Sequence, residues 1–135
     1  MTANQIIVSI LTDSDIIIAR QQARDLAKNS GFTSSELAVI ATAISELARN
    51  IISYATRGQV TVRLIDERSK KGVIIIAEDS GPGIADIHQA MQEGFSTSNS
   101  LGLGLPGVRR LMDFFDIQSQ SGKGTRVTIK KWALS

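Results

Sequence analysis

Four short clusters interrupt the apolar patterning of this 135-residue chain: Glu46-Leu-Ala-Arg-Asn50, Asp79-Ser-Gly81-Pro-Gly83, Gly102-Leu103-Gly104-Leu105 and Gly124-Thr125. The first sits inside a long helical period and the second directly follows an apolar strand. The third precedes a proline-led helix, and the fourth opens the final strand. Each is a weak signal alone. A small domain carrying all four in this order has few ways to arrange them.

The pattern between the clusters supplies the frame. Residues 5–12 read as a strand and residues 15–30 as a helix whose core face carries Ile16, Ala19, Ala23, Leu26 and Ala27. Asp13-Ser14 is a turn and helix cap, and Gly31 ends the helix. Thr33 and Glu36 have capping-box spacing and open a second, longer helix to about Ala55. Gly58 breaks the chain before the alternating strand 60–65. A polar turn over 68–72 then leads into Val73–Glu78, apolar enough to be buried on both faces. The stretch 79–105 is loop-rich, with a short helical piece over 87–91. Pro106 suits the first turn of a helix running to Phe114 or Phe115, and strands 117–120 and 125–131 close the chain. This succession predicts an α/β fold with helices on one face of the sheet, in one domain spanning 1–135.

Composition excludes more than it suggests. There is no cysteine, which removes disulfides and thiolate metal sites, and the single histidine, His88, excludes most multi-histidine sites. A net charge of +2 makes no case for nucleic acid. The apolar run 73–77 is far too short to span a bilayer, and residues 1–12 lack a signal-peptide pattern, so the expectation is a cytoplasmic protein without a membrane segment.

Glu46 and Asn50 project from one face of the second helix, one turn apart, with Ile44, Leu47 and Ile51 facing the core. Such a pair is either a solvated helix face or part of a metal–nucleotide site. In the latter an amide oxygen serves as a hard ligand for Mg²⁺, and a carboxylate takes a proton from an acceptor hydroxyl. Asp79 followed by glycines is either a turn or an acceptor-only group aimed at a ligand's donor. Gly102-Leu-Gly104-Leu-Pro-Gly107 matches G-x-G-x-x-G, but loop chemistry precedes it and too little chain follows for a dinucleotide-binding sheet. It reads instead as a phosphate-binding loop at the N-terminus of the helix starting near Leu105. No Walker A motif is present. Thr125 places a hydroxyl on the last strand, where β-propensity alone would also explain it. Arg20, Arg24 and Lys28 are either a solvated row or a surface for an acidic protein partner.

Taken together, the four clusters resemble the N box, G1 box, G2 box and closing Gly-Thr of the Bergerat ATP-binding fold, shared by the GHKL superfamily of gyrase, histidine kinases and MutL. The resemblance runs over nearly the whole chain. It implies a two-layer α/β sandwich with a mixed, mostly antiparallel sheet. Ala43–Asn50, Glu78–Ile84, Gly94-Phe-Ser-Thr97 and Gly102–Gly107 further resemble the bacterial serine/threonine protein kinases of partner switching, the stressosome switch kinases, with anti-sigma-factor kinases as near relatives. The implied activity is ATP- and Mg²⁺-dependent phosphorylation of STAS-domain antagonist or scaffold proteins, and activation of a PP2C-type phosphatase after release.

Carried over by motif, Glu46 is the general base, Asn50 the Mg²⁺ ligand and Asp79 the adenine reader. Gly81, Gly83, Gly102, Leu103, Gly104 and Leu105 shape the nucleotide pocket and Thr125 closes it. The stretch from Phe95 to Leu101 carries no Lys or Arg, so charge on the phosphates falls to Mg²⁺, to backbone amides, or to side chains such as Arg49 or Arg109. His88 does not resemble the phospho-acceptor of a histidine kinase. A nucleotide-gated binding module and a stand-alone ATPase are the other classes this chain suggests.

Overall fold

A computed structural model describes residues 4–55, 57–81, 104–120 and 122–134. Gly83, Gly102, Leu103, His88, the segment 95–101 and the expected helical piece over 87–91 lie outside them. The elements are β1 (Gln5–Ile10), α1 (Asp13–Ala27), α2 (Ser34–Ala55), β2 (Gly58–Glu67), β3 (Lys70–Asp79), α3 (Gly104–Leu111), β4 (Phe114–Gln120) and β5 (Gly124–Trp132). The strands form a five-stranded sheet in the order β1-β2-β3-β5-β4. All four ladders are antiparallel.

Strand alternation decides which face the helices cover. Val60 and Val62 of β2, Val73, Ile75 and Ala77 of β3, and Val127 and Ile129 of β5 are buried in one cluster with Ile16, Ala19 and Ala23 of α1 and Ile40, Ile44 and Leu47 of α2. Leu105 and Val108 bring α3 into the same cluster. Each fully buried aliphatic side chain contributes about 1.5–3 kcal/mol, so this single layer of contacts holds helices to sheet. On the opposite face Glu78 meets Arg126 at 3.8 Å and the Lys130 ammonium lies 5.2 Å from the Phe114 ring centre. By length and composition α2 is apolar enough to cross a membrane, yet its apolar stripe packs on the sheet and on α1.

Both long helices start at capping boxes. Glu36 accepts from the Thr33 N–H at 2.8 Å while the Thr33 hydroxyl accepts from the Glu36 N–H at 3.1 Å, as the spacing predicts. The α1 cap falls one residue earlier than Asp13-Ser14. Thr12 is the N-cap, and Asp15 accepts from the N–H groups of Leu11 and Thr12 at 2.8 and 3.0 Å.

Several expected boundaries move: β1 ends at Ile10 and α1 at Ala27, short of residues 12 and 30. Gly58 belongs to β2, pairing with both Ile10 and Asp79. The β2–β3 turn closes on Arg68 and Ser69, both at positive φ (53° and 68°), while Gly72 lies within the strand against Trp132. The last helix stops at Leu111, because Asp113 is drawn into the sheet: its N–H donates to the Lys130 carbonyl at 3.0 Å and its carboxylate accepts from the Trp132 N–H at 2.7 Å. Phe114 therefore begins a strand, and Phe115 and Ile117 turn inward against the core.

Candidate nucleotide site

The C-terminal half of α2 lies over the ends of β2 and β3. A side chain at Gly58 would collide with the Glu78 carbonyl and stand 2.9 Å from Ile51 Cγ2; one at Gly81 would stand 2.5 Å from the Ala55 Cβ. These contacts bring the helix turn carrying Asn50 and Ile51 to the strand end carrying Asp79.

Glu46 is only 2% exposed. That eliminates a solvated helix face for this residue, because a carboxylate removed from water is costly to the fold and needs a compensating use. Asn50, one turn on, is half-buried, and Ile44, Leu47 and Ile51 fill the core as expected. Buried Leu105 and Val108 of α3 close the helical layer beside α2.

Asp79 ends β3 on the helix-facing side of the sheet, in register with Gly58 on one flank and Thr125 on the other. Its Oδ1 accepts from the Gly81 N–H at 2.9 Å, an Asx-type turn that fixes the carboxylate and turns the chain out of the sheet. A Cβ at Gly124 would overlap the Asp79 carbonyl, and Gly124 has φ +103°. Gly58, Gly81 and Gly124 thus surround Asp79 with backbone where side chains would otherwise stand. Thr125 is held by Ser119 of β4, whose hydroxyl lies 2.8 Å from Thr125 Oγ1. Asp79, Ser119 and Thr125 line one open cavity of about 540 Å³.

Gly104 begins α3 with φ +57°, and Gly104 and Leu105 are both buried. The phosphate-loop reading expects Gly104→Ala to spare the stability of the unliganded protein. The left-handed backbone removes that expectation, since a side chain there costs about 1–2 kcal/mol before any ligand binds. Arg49 points to α1, where it pairs with Asp13 at 3.7 Å, and Arg109 is exposed in the last turn of α3. Arg20, Arg24 and Lys28 lie on the exposed side of α1.

Sequence reasoning names Thr125 but not Ser119. The signal was available in the hairpin arithmetic: with Gln120 opposite Gly124, Ser119 falls opposite Thr125. Strands read as 117–120 and 125–131 set residue 120 against residue 125 instead, one step out of the observed register, and so leave Ser119 beside no candidate site residue.

The donor set suits a magnesium nucleotide. It offers acceptors at the sheet end for a base, a carboxamide and a buried carboxylate on α2, and a helix start at Gly104. Among the described residues no group of three or more His, Cys, Asp or Glu could hold an ion by itself.

A sheet of this order, with its helices on one side and these polar groups at the strand ends and on α2, defines an ATP-binding module of the histidine-kinase type. The histidine kinase-like ATPase domain family matches residues 11–131. The chain belongs to that family, and within it to the bacterial serine/threonine protein kinases of partner switching. It is 54% identical over 129 residues to the serine/threonine-protein kinase RsbT of Bacillus subtilis, covering 96% of this chain and 97% of the relative. The anti-sigma F factor of Clostridium kluyveri is 36% identical over 104 residues, covering 73% of this chain and 72% of that one. The solved RsbU and RsbW domains of a Mycobacterium tuberculosis protein share the fold with a TM-score of 0.65 at 21% identity, over 96% of this chain and 32% of theirs.

Proposed function

We propose that this kinase, acting as one domain in the cytoplasm, uses Mg·ATP to phosphorylate Ser or Thr on STAS-domain antagonist or scaffold proteins of a stressosome, and that once released it activates a PP2C-type phosphatase. One observation carries the enzymatic part: the burial of Glu46 one turn from Asn50, on the helix that packs over Asp79. The similarity to RsbT over nearly both full lengths favours this reading. The shorter match to an anti-sigma F factor favours, as the second reading, an anti-sigma-factor kinase that binds a sigma factor.

Bound ATP supplies the phosphoryl group, and its Mg²⁺ neutralises charge on the phosphates. Asp79, an acceptor only, receives the amino group of the base, with Gly81 and Gly124 keeping that approach open and Thr125 closing it. Asn50 offers its amide oxygen to the metal. Glu46 would take the proton of the substrate hydroxyl as that oxygen bonds to the terminal phosphorus and the bond to the departing ADP breaks, and burial would keep water from competing for that proton. The backbone at Gly104 and Leu105 opens the α3 N-terminus toward phosphate. Arg49, once released from its exposed pair with Asp13, and Arg109 are the side-chain cations for the phosphates; exposed pairs are worth about 0–1 kcal/mol, so little opposes that release. Gly83, Gly102 and Leu103 belong to the same pocket in this reading. The basic row Arg20, Arg24 and Lys28 supplies part of the protein-contact surface.

The test is incubation with labelled ATP and a STAS-domain substrate, for wild type and Glu46→Ala. Proton transfer contributes about 10²- to 10⁴-fold, so the variant should lose most single-turnover transfer yet keep or tighten Mg·ATP binding. Transfer at near wild-type rate would remove Glu46 as the base. Binding of ATP with no transfer to any STAS protein or sigma-factor complex would leave a nucleotide-gated binding module.

A further inference from the structure

The hydroxyl pair at the end of the sheet has a direction, and proton counting gives it. Ser119 and Thr125 each own one hydroxyl hydrogen. The Ser119 hydroxyl donates to the Gly124 carbonyl at 3.1 Å, an atom that can only accept. The 2.8 Å contact between the two hydroxyls is then made by Thr125 donating to Ser119. Thr125 is left with lone pairs alone for the cavity that it shares with Asp79. The two are register partners on adjacent strands and face the same side, so their β-carbons lie about 4.5–5.5 Å apart. A carboxylate is also an acceptor only. The base end of the site therefore presents two acceptors side by side and no donor from either residue.

We propose that Ser119 is a positioning residue that sets the hydrogen-bond polarity of Thr125, and thereby makes the site select 6-aminopurine nucleotides over 6-oxopurine ones. An exocyclic amine brings two N–H groups to a pair of acceptors. A 6-oxo group brings a third acceptor that neither Asp79 nor Thr125 can satisfy, and the N1–H beside it can reach only one of the two. Without Ser119, Thr125 regains a free proton and turns it toward an oxo group. This inference rests on the nucleotide reading of the site and adds to it a determinant on β4, outside every motif that carries the family resemblance.

Inosine triphosphate is the probe, because it carries an oxo group where ATP carries the amine. Calorimetric affinities for ATP and inosine triphosphate give a selectivity ratio that needs no turnover. In Ser119→Ala that ratio should fall by about 3- to 10-fold, the span of one neutral hydrogen bond gained or lost. Ser119→Thr, which keeps the hydroxyl, should hold the wild-type ratio. A merely structural serine would weaken both nucleotides in proportion. An unchanged ratio in Ser119→Ala, or a ratio that Ser119→Thr fails to hold, overturns the proposal. Should Ser119→Ala not fold, Thr125→Val removes the oriented oxygen itself and must also lower the ratio; no change there is equally fatal. Failure of the nucleotide reading would show separately, as folded wild-type protein that binds neither nucleotide.

Discussion

The two ends of the candidate site are built from different material. At the sheet end, Asp79 is fixed by its place in two ladders, by the Gly81 N–H and by close backbone at Gly58 and Gly124. Fold and site use the same atoms there. On α2 the site is two side chains, Glu46 and Asn50, set on a helix whose stability comes from its other face. A buried carboxylate carries a desolvation cost, whereas the surroundings of Asp79 are backbone that the sheet itself requires. In the proposed reading, recognition of the base is thus tied to stability, whereas the chemistry on the helix is carried by side chains that the scaffold's backbone does not require.

Asp79→Asn tests the sheet end first and should give the largest effect among these changes. The amide can turn a donor toward the donor of the base, and its own oxygen can still hold the Gly81 turn. Losing a charge-assisted hydrogen bond and setting a donor against a donor costs roughly 2–4 kcal/mol, or about 30- to 1000-fold in ATP affinity. Calorimetry on the folded variant measures this. Affinity equal to wild type would break the comparison, because Asp79 would then be a turn residue and nothing more.

How much of this was legible in the sequence follows the same division. Glu46, Asn50 and the face they share were readable, because a helix fixes the relation of residues four apart without any tertiary knowledge. The Thr33–Glu36 cap was readable for the same local reason. Burial of Glu46 was not, since it depends on how α2 meets the rest of the chain. At the sheet end, Asp79 and Thr125 were named separately, but their register is a long-range fact that no local pattern states. Gly58 was misread as a break because the reason for a glycine there is the Glu78 carbonyl on the neighbouring strand. Asp113 ends α3 early for a comparable reason, its partners Lys130 and Trp132 lying on another strand.

Gly124→Ala sharpens the claim that fold and site coincide at the strand end. The new side chain would meet both an unfavourable φ of +103° and the Asp79 carbonyl, so a loss of about 2–4 kcal/mol of stability is expected. Gly122 is the internal control. Its φ is +79° but nothing lies within 4 Å of a Cβ there, so Gly122→Ala should cost only the backbone strain, about 1–2 kcal/mol. Denaturant unfolding of both variants gives the difference. Equal losses would show that the crowding around Asp79 relaxes freely, and that backbone does not hold this carboxylate in place.

The smallest effect belongs to a residue outside both ends. Asp15 caps α1, and the N–H groups of Leu11 and Thr12 hold its carboxyl below the ordinary value of 3.8. A carboxyl whose folded pKa is depressed stabilises the fold above its unfolded pKa, and that contribution is lost as pH falls through the folded one. Asp15→Asn keeps an acceptor but gives up the charge and its interaction with the helix N-terminus. Its melting temperature should therefore lie slightly below wild type at neutral pH. The gap should narrow as pH drops through and below about 4, where the wild-type carboxyl also becomes protonated. Mg·ATP affinity at neutral pH should match wild type, since α1 supplies no group to either end of the site. A changed affinity would mean that the α1 start, through Asp13 and its partner Arg49, reaches the nucleotide after all, and the two-ended description would then need a third support.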